Sequence, residues 1–245
     1  MYSCPMPLNC SEGIVSIENG IYPSYVAIVS GTFSCIGSLL IWVTSFSLQN
    51  IRSGAQKIIT SLAMADFICA VTYIIGSANF ITHFNKTDPT QCKIFTDICV
   101  AQSTITLWFV LSSFIWTVIL AFYFYLIIVY GRLQLAGRLM PLYHIVAWGA
   151  PGVVIIPLVA TGQLGYSPYV ASNWCFIKDN NYEFHGLKVD KTETISIVFG
   201  GELWEVMTYF VITALYLHIW THVTKVTHLM HTNNKGIATI SIINL

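Results

Sequence analysis

Long apolar segments alternate with short polar ones along this chain, and five of the apolar segments are long enough for a helix to cross a membrane. They cover about residues 22–48, 58–82, 94–124, 142–164 and 196–221. A helix of about 20 apolar residues spans a hydrocarbon core of about 30 Å. Segments of this length without strict alternation favour helices over transmembrane β-strands. The pattern therefore predicts an all-α membrane protein with five spans.

Composition supports this interpretation. Charged residues make up 9% of the chain and hydrophobic residues 55%, whereas about 25% charged residues is usual for a soluble domain. Lys plus Arg and Asp plus Glu number 11 each, so no excess of either charge points to a nucleic-acid partner. We expect the lipid bilayer to be the main surrounding of the protein.

The distribution of charge predicts the orientation. Basic residues without acids occupy 49–57, 125–141 and the segment after 221, and the remaining connections hold most of the acids. By the positive-inside rule the basic segments are cytoplasmic. We therefore expect residues 1–21 to be extracellular and 222–245 to be a cytoplasmic tail.

Two sequons agree with this orientation, because Asn9 and Asn85 both fall on the predicted outer side and are candidate glycosylation sites. The first twenty residues lack the basic and apolar regions of a signal peptide. The first span is then its own insertion signal, and we expect a multi-pass protein of the plasma membrane.

The seven cysteines divide between spans and outer segments. We expect Cys35, Cys69 and Cys99, which lie in spans, to pack as small apolar residues. Cys4, Cys10, Cys92 and Cys175 lie on the predicted outer side, where disulfides persist. The sequence leaves open whether Cys4 pairs with Cys10.

Several motifs in fixed order resemble the cyclic-AMP-receptor-like group of G-protein-coupled receptors. They are Ser61–Phe67 with its Leu-Ala-Met-Ala-Asp run, Ser112–Tyr123, His144–Pro151, Gly165–Tyr166, Asn173–Cys175 and Gly201–Glu205. The resemblance implies a receptor-type helical bundle, a heterotrimeric G protein as partner and an unknown extracellular ligand. A second receptor copy is a further candidate partner. It also implies a disulfide between Cys92 at the top of span three and Cys175 in the next outer loop.

The resemblance has two departures. Receptors of this group have seven spans, and the apolar part of the tail after His231 is too short for a sixth. We therefore expect a truncated receptor that lacks helices 6 and 7 and ends in an aberrant tail. The second departure is that no Asp-Arg-Tyr triplet stands at the end of span three. The nearest basic site there is Tyr130-Gly131-Arg132.

Three functions remain for comparison. The first is an orphan receptor that signals through a G protein. The second is a five-span product without signalling activity that binds the full-length receptor or retains it in the endoplasmic reticulum. The third is a transporter or channel, which the absence of an internal repeat disfavours. The sequence shows no constellation typical of an enzyme or of a cofactor site.

Polar residues at helical spacing on spans three and five predict an outward-facing ligand pocket, because such residues face the bundle rather than lipid. The pocket candidates are Gln102, Thr106, Phe109, Glu202, Glu205 and Tyr209. The carboxylates of Glu202 and Glu205 suit a cationic or donor-rich ligand. The alternative is that these side chains hydrogen-bond between helices or lie at the headgroups.

Asp66 is an ionisable residue in the middle of a span, where burial is costly. The resemblance implies an acid that links the ligand site to the cytoplasmic face, and the alternative is a neutral Asp bonded to Ser or Thr hydroxyls. Arg132 and Arg138 are candidates for contact with a G protein or with anionic lipid. His218 and His222 form an HxxxH pair, but one pair predicts no metal site.

Overall fold

The computed structural model describes residues 10–47, 53–83, 89–166, 175–177 and 198–243. In chain order its elements are α1 (Cys10–Ser47), α2 (Gly54–His83), α3 (Pro89–Ile128), α4 (Leu133–Arg138), α5 (Met140–Ala160), β1 (Leu164–Tyr166), β2 (Cys175–Ile177), a π-helical turn (Val198–Glu202) and α6 (Leu203–Ile243).

Five of these helices are long and apolar enough to cross a membrane, namely α1, α2, α3, α5 and the π-turn with α6. This confirms the prediction of an all-α membrane bundle with five spans. Two boundaries differ from the prediction. α3 begins at Pro89 rather than near 94, and α6 continues as one helix past 221 to Ile243.

α3 is the central helix of the bundle. It packs against α2, α5, α6 and both strands, whereas α1 packs mainly on α2. Two apolar clusters lie along α3. The cluster near the strands contains Leu107, Leu111, Ile155, Leu158, Leu164 and Ile177. The cluster near α4 contains Ile58, Trp116, Ile119, Tyr123, Leu126, Ala136, Tyr143 and Ala147. We refer to the two ends as the hairpin end and the α4 end.

Hydroxyl side chains within the spans are mostly satisfied by their own helix. Thr32 donates to the Ile28 carbonyl at 2.7 Å, and Thr104 donates to the Val100 carbonyl at 2.7 Å. These bonds matter because a hydrocarbon core offers no water to a polar group. The hydroxyls that bond between helices are therefore the ones that fix how the helices pack.

The end of α5 turns the chain back toward α3. Gln163 N–H donates to the Leu158 carbonyl at 3.0 Å and Gly162 N–H to the Val159 carbonyl at 3.0 Å. This is a Schellman motif, and it requires the left-handed conformation that Gly162 adopts at φ 67°. The turn places β1 directly after α5, where it pairs with β2 in an antiparallel hairpin.

We predict that Gly54→Ala destabilises the bundle. A Cβ at Gly54 would lie 2.8 Å from Cζ of the buried Tyr123 and closer still to its hydroxyl, so α2 or Tyr123 must move. Overpacking of this kind costs about 1–3 kcal/mol. The apparent melting temperature in detergent should fall.

Gly37→Ala is the matched control, since a Cβ at Gly37 in α1 meets no atom within 4 Å. Alanine is the better helix former by about 1 kcal/mol, so this variant should melt at or above the wild-type temperature. Equal stability of the two variants would contradict the α2–α3 contact at Gly54.

Candidate functional site

The β1–β2 hairpin covers one end of the bundle. Leu164 pairs with Ile177 and Tyr166 with Cys175. The side chains of Leu164 and Ile177 are buried in the apolar cluster that α3 and α5 form at this end. The hairpin is therefore packed into the bundle as a lid.

Two glycines in the π-turn before α6 allow the lid to approach this helix closely. A Cβ at Gly201 would lie 2.9 Å from Cζ of Phe176, and a Cβ at Gly200 would overlap the side chain of Ile177. The strand β2 thus lies between α3 on one side and the start of α6 on the other. Larger residues at these two positions would push the lid away from the fifth span.

A disulfide joins Cys99 of α3 to Cys175 of β2, with a Cα–Cα distance of 5.3 Å. The predicted pairing of Cys92 with Cys175 is therefore wrong, as is the expectation that Cys99 packs as a small apolar residue. Because α3 begins at Pro89, Cys92 lies in its first turn, and seven residues of helix correspond to about 10 Å. The hairpin reaches down to the level of Cys99 instead of stopping at the top of α3.

Gln102 and Thr106 lie directly below this disulfide and face α2. Gln102 is 4% exposed and Thr106 is 2% exposed. Gln102 Oε1 accepts a hydrogen bond from the Cys175 N–H at 3.1 Å, and Gln102 Nε2 donates to Thr106 Oγ1 at 3.1 Å. Thr106 Oγ1 donates to Thr72 Oγ1 of α2 at 2.9 Å. Of the two interpretations left open by the sequence, hydrogen bonding between helices describes the contacts of these two residues.

Phe109 is one of the pocket candidates on α3, and it packs toward α5. Its ring lies 5.9 Å from Trp148, edge to face. Trp116 continues this contact, with its ring 5.9 Å from Trp148 and 4.9 Å from His144. Aromatic pairs at these distances stabilise the packing of two helices. The structure therefore does not place Phe109 together with Gln102 and Thr106.

Glu202, Glu205 and Tyr209 are exposed on the π-turn and α6, with Tyr209 at 63%. Glu205 lies within electrostatic range of the Tyr73 hydroxyl of α2. The hydrogen bonds of Gln102 run instead to Cys175 and Thr106. Sequence reasoning missed Tyr73, although it lies seven residues after Asp66 and so on the same face of α2.

Asp66 of α2 accepts a hydrogen bond at 2.7 Å from the Ser113 hydroxyl of α3. It is half-buried. This contact fits the alternative of an Asp bonded to a serine hydroxyl, and it also fixes α2 against α3 at that depth. It is compatible with a role in linking the two ends of the bundle, which stays a prediction.

The α4 end carries the two predicted basic residues. Arg132 directly precedes α4 and Arg138 lies in its last turn, and both are exposed. Nearby on α6, the His218 ring packs edge-on against Tyr125 of α3 at 5.4 Å. Within the described ranges no group of three potential metal ligands occurs. The side chains of Cys4, Cys10, Cys92, Asn9 and Asn85 lie outside the described part.

Comparison with known proteins decides the family. The sequence model of the protein family described as 7 transmembrane receptor (Secretin family) matches residues 22–238. The chain belongs to this receptor family. Its lid, disulfide and five spans are thus parts of a seven-transmembrane-type receptor bundle, and the resemblance inferred from the ordered motifs is confirmed.

Relatives of this receptor chain come from animals, an amoeba and a plant. It is 30% identical over 202 residues to the human G-protein coupled receptor 157, covering 82% of this chain and 54% of the relative. It is 25% identical over 171 residues to the Cyclic AMP receptor-like protein A of Dictyostelium discoideum, covering 69% of this chain and 38% of that protein. The chain spans about half the length of the curated relatives it matches.

We predict that Cys99→Ala removes the bridge of Cys175 in this receptor chain, whereas Cys92→Ala leaves it intact. Losing a disulfide lowers stability by about 2–4 kcal/mol. Peptide mass mapping without reduction should show the 99–175 link in wild type and in Cys92→Ala. A 92–175 peptide in the wild-type protein would contradict the structure.

Proposed function

We propose that this chain provides the first five helices of a receptor that binds an extracellular ligand and signals through a heterotrimeric G protein. The observation that carries the proposal is the disulfide-anchored hairpin, which closes one end of a receptor-family bundle. The hairpin end is then the outer, ligand-binding end. The α4 end, with Arg132 and Arg138, is the cytoplasmic end in the plasma membrane.

The charge distribution supports this orientation. Arg132 and Arg138 are exposed at the α4 end, and Lys57 and Lys225 lie at the same ends of their spans. The positive-inside rule places such residues in the cytoplasm. A basic, exposed surface is also suited to an acidic protein surface or to anionic lipid. The G protein would approach from this side.

The ligand pocket in this proposal lies between α2, α3 and α6 below the hairpin. Glu205 is its best-placed acid, because it is exposed in the first turn of α6 and lies within electrostatic range of Tyr73. Glu202 and Tyr209 flank it on the same helix. A carboxylate at the mouth of such a space favours a cationic or donor-rich ligand. Gln102 and Thr106 would border this space through their contacts with β2 and α2, whereas Phe109 packs on α5.

Signalling in the proposed receptor requires the helices beyond the part of the family that this chain covers. A ligand shifts a receptor between two packings only if it binds them with different affinity. Rearrangement of helices at the cytoplasmic end would then open the surface that Arg132 and Arg138 border. The five spans provide the lid and the α2–α3 contact of this switch, and the remaining helices provide its moving wall.

We predict that residues 1–245 expressed alone do not activate a G protein. Co-expression with the part of the human relative that follows the matched region should restore ligand-independent activation, since helices inserted separately can associate by packing. Resonance energy transfer between Gα and Gβγ measures the dissociation of each Gα class. Arg132→Gln combined with Arg138→Gln should lower the restored signal several-fold at equal surface expression.

The human fragment alone and an empty vector are the controls. Activation by residues 1–245 alone would contradict the need for the additional helices. Co-assembled fragments at the cell surface that leave every G protein intact would contradict the receptor proposal. They would favour a five-span protein that binds or retains a complete receptor.

A further inference from the structure

We infer that Gln102 is a positioning residue that holds the hairpin to the bundle and, through Thr106 and Thr72, couples the hairpin to α2. The inference rests on the proposed function only in making the hairpin the cover of a ligand entrance. The coupling itself consists of hydrogen bonds between Cys175, Gln102, Thr106 and Thr72. It can be tested without a ligand or a G protein.

Two adjacent contacts hold the hairpin to α3. The Cys175 N–H donates to Gln102 Oε1 at 3.1 Å, directly beside the Cys99–Cys175 disulfide. Both cysteines are buried. The disulfide fixes how far the hairpin can move from α3, and the Gln102 bond fixes its orientation there. Moving the hairpin outward therefore breaks this bond and leaves the buried Cys175 N–H and the buried Gln102 carboxamide oxygen without a partner.

Two further hydrogen bonds connect Gln102 on α3 to α2. Gln102 Nε2 donates to Thr106 Oγ1 at 3.1 Å and Thr106 Oγ1 donates to Thr72 Oγ1 at 2.9 Å. Thr72 Oγ1 donates in turn to the Cys69 carbonyl at 2.7 Å. Each hydroxyl therefore accepts one bond and donates one, and the chain runs in a single direction. Because all three side chains are buried, breaking one link leaves polar groups unsatisfied in an apolar surrounding.

The two helices approach each other closely around these hydrogen bonds. A Cβ at Gly76 of α2 would lie 2.8 Å from Cδ of Gln102, so the carboxamide is confined by the α2 backbone. Gln102 thus packs directly against the α2 backbone at Gly76. The hairpin, Gln102 and α2 move together or lose their hydrogen bonds.

The chain ends one helical turn from Asp66. Cys69, whose carbonyl receives the last bond, lies three residues after Asp66, and Asp66 is bonded to Ser113 of α3. Two polar contacts between α2 and α3 are therefore arranged in series below the hairpin. Displacement of the hairpin is transmitted to the register of α2 at Asp66 by this route.

The rate at which dithiothreitol reduces the Cys99–Cys175 bond tests the coupling. Because this disulfide is buried, reduction requires local opening of the hairpin. The chain of residues 1–245 in lipid nanodiscs is exposed to the reductant for timed intervals, quenched in acid, denatured and labelled with N-ethylmaleimide. Mass spectrometry of the Cys175 peptide gives the rate.

Thr72→Val is the decisive variant, since Thr72 lies on α2 and bonds to Thr106 rather than to the hairpin. We expect it to accelerate reduction about three- to tenfold, the range that corresponds to loss of one buried hydrogen bond. Thr72→Ser keeps the hydroxyl and should retain the wild-type rate. Thr104→Val is the matched control on α3, because Thr104 bonds to its own helix, and it should also retain that rate.

A double-mutant cycle separates coupling from general loosening. Gln102→Met breaks the link at the hairpin and should accelerate reduction by itself. In this background Thr72→Val should have no additional effect, because the path is already broken. A wild-type rate for Thr72→Val, or the same acceleration in both backgrounds, would overturn the inference. Neither result depends on whether the chain signals, so failure of the receptor proposal is detected separately.

Discussion

The organisation of this protein depends on how a membrane-spanning helix satisfies polar groups where water is absent. Most hydroxyls in the spans bond to the backbone of their own helix. Such bonds do not determine which helix packs beside it. On α3, Gln102, Thr106 and Ser113 instead bond to the hairpin or to α2. Breaking these bonds would expose polar atoms to hydrocarbon, so they determine where α2 and the hairpin pack.

The spans were predictable because the thickness of the hydrocarbon core sets a minimum apolar length. The polar face of α3 was predictable for the same reason, since polar side chains avoid lipid. The neighbours of that face were not. The sequence suggested that this face meets the fifth span, which is α6. In the structure Thr106 contacts α2, and Phe109 contacts α5, the fourth span. Helices cross at angles, so one face meets different partners at different depths.

The disulfide shows a second limit of sequence reasoning. Cys92 and Cys99 lie seven residues apart and therefore on nearly the same side of α3. Choosing between them requires the depth that the hairpin reaches, which depends on the Schellman turn after α5 and on the close contact at Gly200 and Gly201. One signal was available in the sequence. Cys99 lies on the same bundle-facing stripe as Gln102 and Thr106, which made it a second candidate partner for Cys175.

These contacts give a physical basis for the receptor proposal. The most direct test of the α2–α3 contact is a crosslink between Thr72→Cys and Thr106→Cys in oxidised native membranes, read as linked peptides by mass spectrometry. The hydroxyl oxygens of the native pair lie 2.9 Å apart, so we expect efficient crosslinking of this pair and little of Thr72→Cys with Thr104→Cys. A crosslink that forms equally with both positions, or only with position 104, would contradict the packing on which the lid, Asp66 and the proposed coupling depend.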